Sequence, residues 1–597
     1  MSIKVRTMSL MSRFLSDRRG NIAIIFGLSF VPLMFLAGTG IDYGRASAMR
    51  ARLQNAVDGT ALSLCQTTTT TTSAALEDQA TKLIASYMPV ATLTTPLTIG
   101  ANPRTILVKA TATYTTAFAR LLRINTIDVS ASSQCATPMA QTFEIAIALD
   151  TTGSMNKAGG SGTKMAAAQD AAKKFVDYVY TKPAFSPQTR ISIVPFASGV
   201  AVDPNTYGAA TAWIDGSSAP KSAYHWTNVD FSAANATVKA AIKNRLDIFA
   251  QLKKLDSTWG WAGCLETLPY PLNVQDAAPT SGNPDSYFVP MFAPDEPAGT
   301  SQDMTYVQND SANNLPKTAS RYTKMNPSVQ YQLNSYLEDY TNEPGCEAKT
   351  MTAPEAEMRA CKYYKSTRYS VTTYNDVGIP NGPNFGCTSK PLQTLTNDTA
   401  KLKSLIDGLG PLGSTNIFEG FMWAWRTISP LSVFGQGVAY NDTTVRKVIV
   451  LMTDGFNSWN TNATIAASSG FDFRNINDSL FGSMGYITNG NGTKVSGSSA
   501  LAGRLVTGTA SPASDAQARD ALDALTREAC TNAKARNIAV FTIGFSVPND
   551  PIDQAGINLL RDCATVPAQA YVANSSTALI AAFDDIAKSI GKLRIVR

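Results

Sequence analysis

Five side chains with hard oxygen donors sit where a folded chain can gather them: Asp150, Thr152, Ser154, Thr415 and Asp454. Asp150, Thr152 and Ser154 alternate along Asp150-Thr151-Thr152-Gly153-Ser154, so a tight turn would aim one carboxylate and two hydroxyls at a common centre. Gly413-Ser414-Thr415-Asn416-Ile417 adds a third hydroxyl, and Asp454 a second carboxylate. Hard oxygens with few carboxylates suit Mg²⁺, or else Mn²⁺ or Ca²⁺, with water completing the shell. At most two formal negative charges would surround the ion. It would therefore stay electrophilic enough to accept a carboxylate from a protein partner. The chemistry this set predicts is cation-dependent protein binding rather than catalysis.

The flanking sequence supplies elements that would position these residues. Glu144 to Asp150 and Lys447 to Asp454 are short apolar runs ending in an acid, the pattern of buried parallel strands. Arg190 to Ala197, Ile538 to Ser546 and Ala570 to Ala573 read as further strands. Lys164 to Tyr180, Thr399 to Leu409, Asp515 to Arg536 and Thr577 to Lys592 read as helices. This alternation predicts an α/β fold with a doubly wound, Rossmann-like sheet. Ligands of such sheets bind beyond the carboxyl ends of the strands, which is where Asp150 and Asp454 fall. A second match to the spacing, Asp128 to Ser132, has no glycine, no preceding apolar strand and no following helix, and reads as part of an ordinary strand.

Other chemistries fit less well. Gly159 to Lys164 mimics a phosphate-binding loop, but Thr163 separates Gly162 from Lys164 and Met165 follows, so no nucleotide is expected. Ser154-Met155-Asn156-Lys157 has the SxxK spacing of a periplasmic serine acyl-enzyme, but no Lys-Thr-Gly follows. A single histidine, His225, rules out multi-histidine zinc sites and reads as a packed residue beside Trp226. Asp295, Glu296 and Asp303, like Asn549, Asp550 and Asp553, read as solvated acidic loops rather than calcium sites, and Trp423 with Trp425 as a buried helix face. Lys and Arg number 51 against 45 Asp and Glu, and a net charge of +6 over 597 residues is too weak to call for nucleic acid.

Gly20 to Ile41 carries no charge and, at about 1.5 Å per residue, would span roughly 33 Å as a helix, enough to cross a bilayer. Lys4, Arg6, Arg13, Arg18 and Arg19 precede it against one acid, Asp17, which predicts a cytoplasmic N-terminus and a periplasmic or extracellular remainder. Helical spacing runs on through Ile41, Met49, Leu53, Val57 and Ala61, arguing for an anchor rather than a cleaved leader. The expected organisation is a cytoplasmic 1–19, a transmembrane 20–41, a small α+β pilin-like unit over 42–140, and an α/β domain over 141–597. Two insertions interrupt that domain, at about 200–395 and at 456–513, and the second is expected to roof or border the metal site. All eight cysteines follow the apolar segment, as disulfides in an oxidising compartment require. Cys530–Cys563 and Cys264–Cys387 are the two expected pairs.

The five oxygen-bearing residues resemble the metal-ion-dependent adhesion site (MIDAS) of von Willebrand factor A domains, whose pattern is DxSxS, a distant Thr and a distant Asp. By position, Asp150, Thr152, Ser154, Thr415 and Asp454 would be its ligands, with Thr152 standing where Ser is usual. The whole chain resembles TadG-like proteins of the tight-adherence (Flp) pilus system. The resemblance rests on Arg18 to Ala23, Trp261 to Cys264, Phe292 to Glu296, Gly413 to Ile417, and Ala581 to Arg594. It also touches prepilins, except that Ile25 stands where their Glu would be. The resemblance implies an envelope-anchored pilus-assembly or adhesion component with pilus or envelope partners. A surface adhesin outside pilus assembly and the Ser154/Lys157 enzyme are the other readings.

Overall fold

A computed structural model describes residues 19–67, 71–100, 104–136, 141–160, 162–227, 229–296, 334, 336–337, 358–366, 368, 379–459, 480–486, 503–509, 512 and 514–592. They form two compact units, Met1–Ala140 and Gln141–Arg597.

The first unit is built on one helix, α1 (Arg19–Cys65), with Pro32 inside it. Its N-terminal part is the one helix among the described residues long and apolar enough to cross a membrane. Ile25, Leu28, Leu33 and Leu36 are exposed there, whereas Leu53, Val57, Ala61 and Leu64 further along are buried. The buried stripe packs on α2 (Ser73–Tyr87) and on an antiparallel sheet of β1 (Ala91–Leu93), β2 (Thr98–Gly100), β3 (Thr105–Thr115) and β4 (Thr126–Ala136). In β3 the side chains of Ile106, Val108, Ala110 and Ala112 alternate into this core while Lys109, Thr111 and Thr113 face out. Asp128 to Ser132 lies within β4, paired with β3 along its length. A disulfide joins Cys65 to Cys135.

The second unit holds a six-stranded sheet in the order β10-β9-β8-β5-β6-β7. Its members are β5 (Thr142–Asp150), β6 (Arg190–Phe196), β7 (Gln393–Thr396), β8 (Val445–Thr453), β9 (Ala539–Phe545) and β10 (Ala570–Ala573). Every neighbouring pair is parallel except β6 with β7. Side chains alternate between two cores. Ile145, Ile147, Val448 and Val450 pack on α3 (Lys164–Thr181), α4 (Thr399–Asp407) and α8 (Ser576–Lys592). Ala146, Ala148, Ile449 and Leu451 meet α5 (Ile417–Ile428), α6 (Asp515–Ala535) and α7 (Gln554–Cys563). From β5 the chain winds outward through β6 to β7, and from β8 through β9 to β10. The reversal falls between β5 and β8, where strand tips part and leave a crevice.

The sequence reading places these strands and helices within about two residues of their ends, a normal margin for frayed termini. It overlooks β7 and α7, and reads of α5 only the buried Trp423/Trp425 face. β7 is a four-residue edge strand, too short to show a period, whereas α5 buries every residue, Glu419 and Arg426 included, so its burial does not follow its polarity. Cys264–Cys387 and Cys530–Cys563 are bonded as expected, and Cys361 is also in a disulfide. The first insertion carries its own apolar cluster around Ile248, Phe249 and Tyr363. Arg245 and Arg504, one from each insertion, share the buried Glu266 carboxylate.

Helix α5 lies so close to the sheet that a methyl group on Gly420 would stand 2.4 Å from the buried Phe196 ring. Overpacking of this kind costs about 1–3 kcal/mol, against a gain of roughly 1 kcal/mol from better helix propensity. Gly420→Ala is therefore expected to be net destabilising in a denaturant titration. It should also disturb the Thr415 loop, which leads directly into α5.

Candidate metal centre

Asp150 ends β5 and Asp454 follows the last residue of β8, so parallel pairing delivers both carboxylates to the crevice. Asp150 Oδ1 accepts from the Thr152 amide at 2.8 Å, and Oδ2 from the Thr453 hydroxyl at 2.6 Å. The chain then turns through a short 3-10 segment, Gly153–Asn156. There the Thr152 and Ser154 hydroxyls lie 3.0 Å apart, and Ser154 Oγ donates to Asp454 Oδ1 at 2.7 Å across 300 residues of sequence. Three of the five sequence-predicted oxygens thus form one connected chain, and the Thr152 amide joins Asp150 to it.

Thr415 arrives on a neighbouring loop. The Gly153 amide donates to Gly413 O at 2.9 Å and the Leu412 amide to Thr151 O at 2.8 Å, which ties the two loops together. Gly413 has φ 95°, and a Cβ there would meet Thr388 Oγ1 at 2.5 Å, so only glycine lets the loop approach. Asn416 caps α5. Ser154, Thr415 and Asp454 line a cavity of about 410 Å³ together with Lys157, Phe456 and Asp550. Asp150 and Thr152 sit behind that wall, buried. The start of the second insertion borders the cavity through Phe456 and Ser458, and Ile379 of the first insertion lines it as well. Whether residues 460–479 roof the site lies outside the described residues.

Burial pushes the Asp150 carboxyl up to about 7, helped by the nearby Asp454 charge. Burial also raises Asp454, opposed by Lys164. Lys164 opens α3 with a fully buried side chain, its Nζ 2.9 Å from Asp454 Oδ2 and 2.6 Å from Asp550 Oδ2. Lys157 Nζ lies 2.8 Å from Asp550 Oδ1. Burial works to raise Asp550 too, but the hydrogen bonds and charges of the two lysines outweigh it and hold its carboxyl low.

Lys164 and Asp550 were missed as site residues. The available signal was a lysine at a helix N-terminus, where the macrodipole disfavours a cation unless carboxylates wait for it. The first acidic loop is not a solvated face where it is described, since Asp295 and Glu296 are buried and Asp295 pairs with Lys362; Asp303 lies outside the described residues. In the second, Asn549 and Asp553 are exposed as expected, and Asp553 caps α7 and pairs with Arg519. His225 is packed and bonded, with Nδ1 3.0 Å from Asp215 and Nε2 accepting from the Arg245 amide.

Among the described residues, no group of three or more His, Cys, Asp or Glu converges. A cation in this crevice would have to rely on hydroxyls and water beside the acids. The donors present fit that demand: Ser154 Oγ, Thr152 Oγ1 and Asp454 Oδ1 are consecutive hard oxygens, and Thr415 faces the same cavity. Lys157 is engaged by Asp550, and the Ser154 proton points at Asp454, so neither is arranged as an SxxK nucleophile and base.

Residues 20–63 match the TadE/G-like Flp pilus-assembly family (Tad). No curated protein matches the chain. Among solved structures, the pilus adhesin SpaC from Lactobacillus rhamnosus GG is similar at 10% identity and TM-score 0.30, over 84% of this chain and 35% of that one. The vWF domain of the type V pili tip protein Mfa5 from Porphyromonas gingivalis is similar at 13% identity and TM-score 0.28, over 77% and 98%. The PilB minor pilin from Streptococcus sanguinis is similar at 12% identity and TM-score 0.30, over 84% and 78%. Scores of this size are too low to fix a shared fold. The chain spans about a third of the length of SpaC.

Asp150 binds its proton more tightly folded, near pH 7, than the ordinary 3.8 of an unfolded Asp. Between those values the native state holds more protons, so stability falls as pH rises and levels off above about 7. In EDTA, the unfolding midpoint is expected to drop from pH 4 to pH 7, and Asp150→Asn to flatten that slope. Thermal unfolding across this range checks it; an unchanged slope in the variant would assign the titration elsewhere.

Proposed function

Because residues 20–63 carry the TadE/G-like Flp pilus-assembly signature, we propose that this chain is a membrane-anchored, non-catalytic binding component of Flp/Tad pilus biogenesis. On this reading the second unit is a von Willebrand factor A-type, doubly wound domain. Its Asp150, Thr152, Ser154, Thr415 and Asp454 hold Mg²⁺, or Mn²⁺ or Ca²⁺, in a MIDAS-type site. A divalent ion there would supply a Lewis-acidic seat for a carboxylate from a pilus or envelope protein.

The observation that carries this reading is the Ser154–Asp454 hydrogen bond at the winding reversal, with Thr415 on the same cavity wall. Hydroxyls supply much of the donor set, which keeps its formal charge low and leaves room for an incoming anion. Ser154 and Asp454 reach the cavity directly. Asp150 acts from behind, ordering the Thr152 turn and adding negative charge to the crevice. The engagement of Lys157 by Asp550 supports a binding role over acyl transfer. The basic N-terminal flank supports a cytoplasmic N-terminus, with both units on the far side of the membrane.

The test is direct cation binding by the full-length protein. Loss of the free Mn²⁺ paramagnetic signal on titration is expected for wild type. Ser154→Ala and Asp454→Asn should each weaken binding by about tenfold or more. Partner recovery in Mg²⁺ should fall with the same variants and with EDTA. Equal Mn²⁺ binding by wild type and both variants would sink the proposal.

A further inference from the structure

The hairpin joining β3 to β4 carries an apolar tip with no covering in its own unit. Leu121 is 70% exposed, Leu122 50%, Ile124 50% and Phe118 39%, and Arg120 and Arg123 stand among them. This tip is held at a defined height on α1. Asp42 accepts from the amides of Ala117, Phe118 and Ala119 at 3.0, 2.7 and 2.7 Å, and from the Tyr114 hydroxyl at 3.1 Å. A methyl group on Gly38 would stand 2.6 Å from Phe118 Cβ, so the loop lies against the helix at that residue.

The far end of the hairpin is fixed as well. Cys135 in β4 is bonded to Cys65, and Gln54 Nε2 donates to Ser132 O at 3.1 Å between the two ends. An 11-residue strand at about 3.3 Å per residue covers roughly 36 Å. The helix from Asp42 to Cys65 covers about the same length at 1.5 Å per residue. Strand and helix therefore run side by side, and the tip falls where α1 leaves its lipid-length apolar segment. Tyr43, 73% exposed, stands at the same level, as interfacial aromatic residues do.

We propose that the Phe118–Ile124 tip inserts into the headgroup and acyl boundary of the bilayer crossed by α1, as a second membrane contact. The occupant follows from continuity: the tip touches the helix at its membrane exit, and apolar side chains interleaved with arginines match an interface of acyl chains and phosphates. The contact would fix the tilt and rotation of α1, which a single helix leaves free. The proposal rests on reading residues 20–41 as the membrane span, and is independent of the metal site.

The test places an environment-sensitive fluorophore on Leu121→Cys, Leu62→Cys or Phe30→Cys in the full chain, reconstituted in phosphatidylethanolamine–phosphatidylglycerol vesicles with or without lipids carrying a quencher at the upper acyl chain. Leu62 is exposed, and about 30 Å along the helix from Asp42. Blue-shifted, quenched emission is expected at positions 30 and 121, and water-like, unquenched emission at 62. Quenching at 30 with water-like emission at 121 overturns the tip insertion alone. Water-like emission at both overturns it together with the membrane span.

Discussion

Charge has to balance at the tips of β5 and β8. Asp454 and Asp550 meet the fully buried Lys164 ammonium, where an uncompensated ion costs several kcal/mol. Lys157 reaches Asp550 from the exposed side, and Asp150 is buried nearby. The balance is struck oxygen by oxygen. Asp454 gives Oδ2 to Lys164 and keeps Oδ1 for Ser154, at the cavity. Asp150 spends both oxygens on the Thr152 amide and the Thr453 hydroxyl, behind the wall. One acid therefore faces the cavity while the other organises the turn. The Lys164 ammonium meanwhile ties the start of α3 to the end of β8 and to the 547–550 turn.

Around this centre the two insertions act as a shaped rim. The described part of the second insertion is stitched to the first: the Thr267 amide donates to Ser483 O at 2.9 Å and the Tyr270 amide to Gly503 O at 2.7 Å. Asn416, next to Thr415, donates to Ser483 Oγ at 3.2 Å, and Glu419 of α5 accepts from Thr267. The Cys264–Cys387 bridge closes the first insertion at its base. These bonds make the 480–486 and 503–509 stretches structural parts of the domain. On the proposed reading, a cation and a carboxylate recognise charge alone. Discrimination among acidic partners then falls to the rim, where Ile379, Phe456 and Ser458 already line the cavity.

How much of this could be read in the sequence follows from where the signals are local. The strands ending at Asp150 and near Asp454 announce themselves by apolar runs stopping at an acid. The Asp128 decoy is exposed as a strand by its own alternation. The Asp150-to-Ser154 turn is legible because three donors share one short stretch. Lys164 and Asp550 were not, because their roles exist only once distant segments meet, and each has a commonplace local reading. The Arg245–Glu266–Arg504 network was hidden for the same reason, spread over 259 positions of chain. Helix α5 buries its polar Glu419 and Arg426 along with its apolar residues, so only its Trp423/Trp425 face was legible as core.

The two halves of α1 supply an argument about the anchor that hydropathy alone does not. A core helix of a soluble unit buries its apolar stripe along its whole length. Here Ile25, Leu28, Leu33, Leu36 and Ile41 present apolar side chains outward, and burial begins at Gly38, against Phe118, and at Asp42, within one uninterrupted helix. The switch coincides with a carboxylate that organises the hairpin tip, so the start of the folded unit is marked by a specific bond. An apolar surface of that length facing water would be an aggregation liability, and facing lipid it is satisfied. The helix also continues into the unit that Cys65–Cys135 closes, so its apolar half and its packed half belong to one continuous helix. That continuity fits a single-pass anchor.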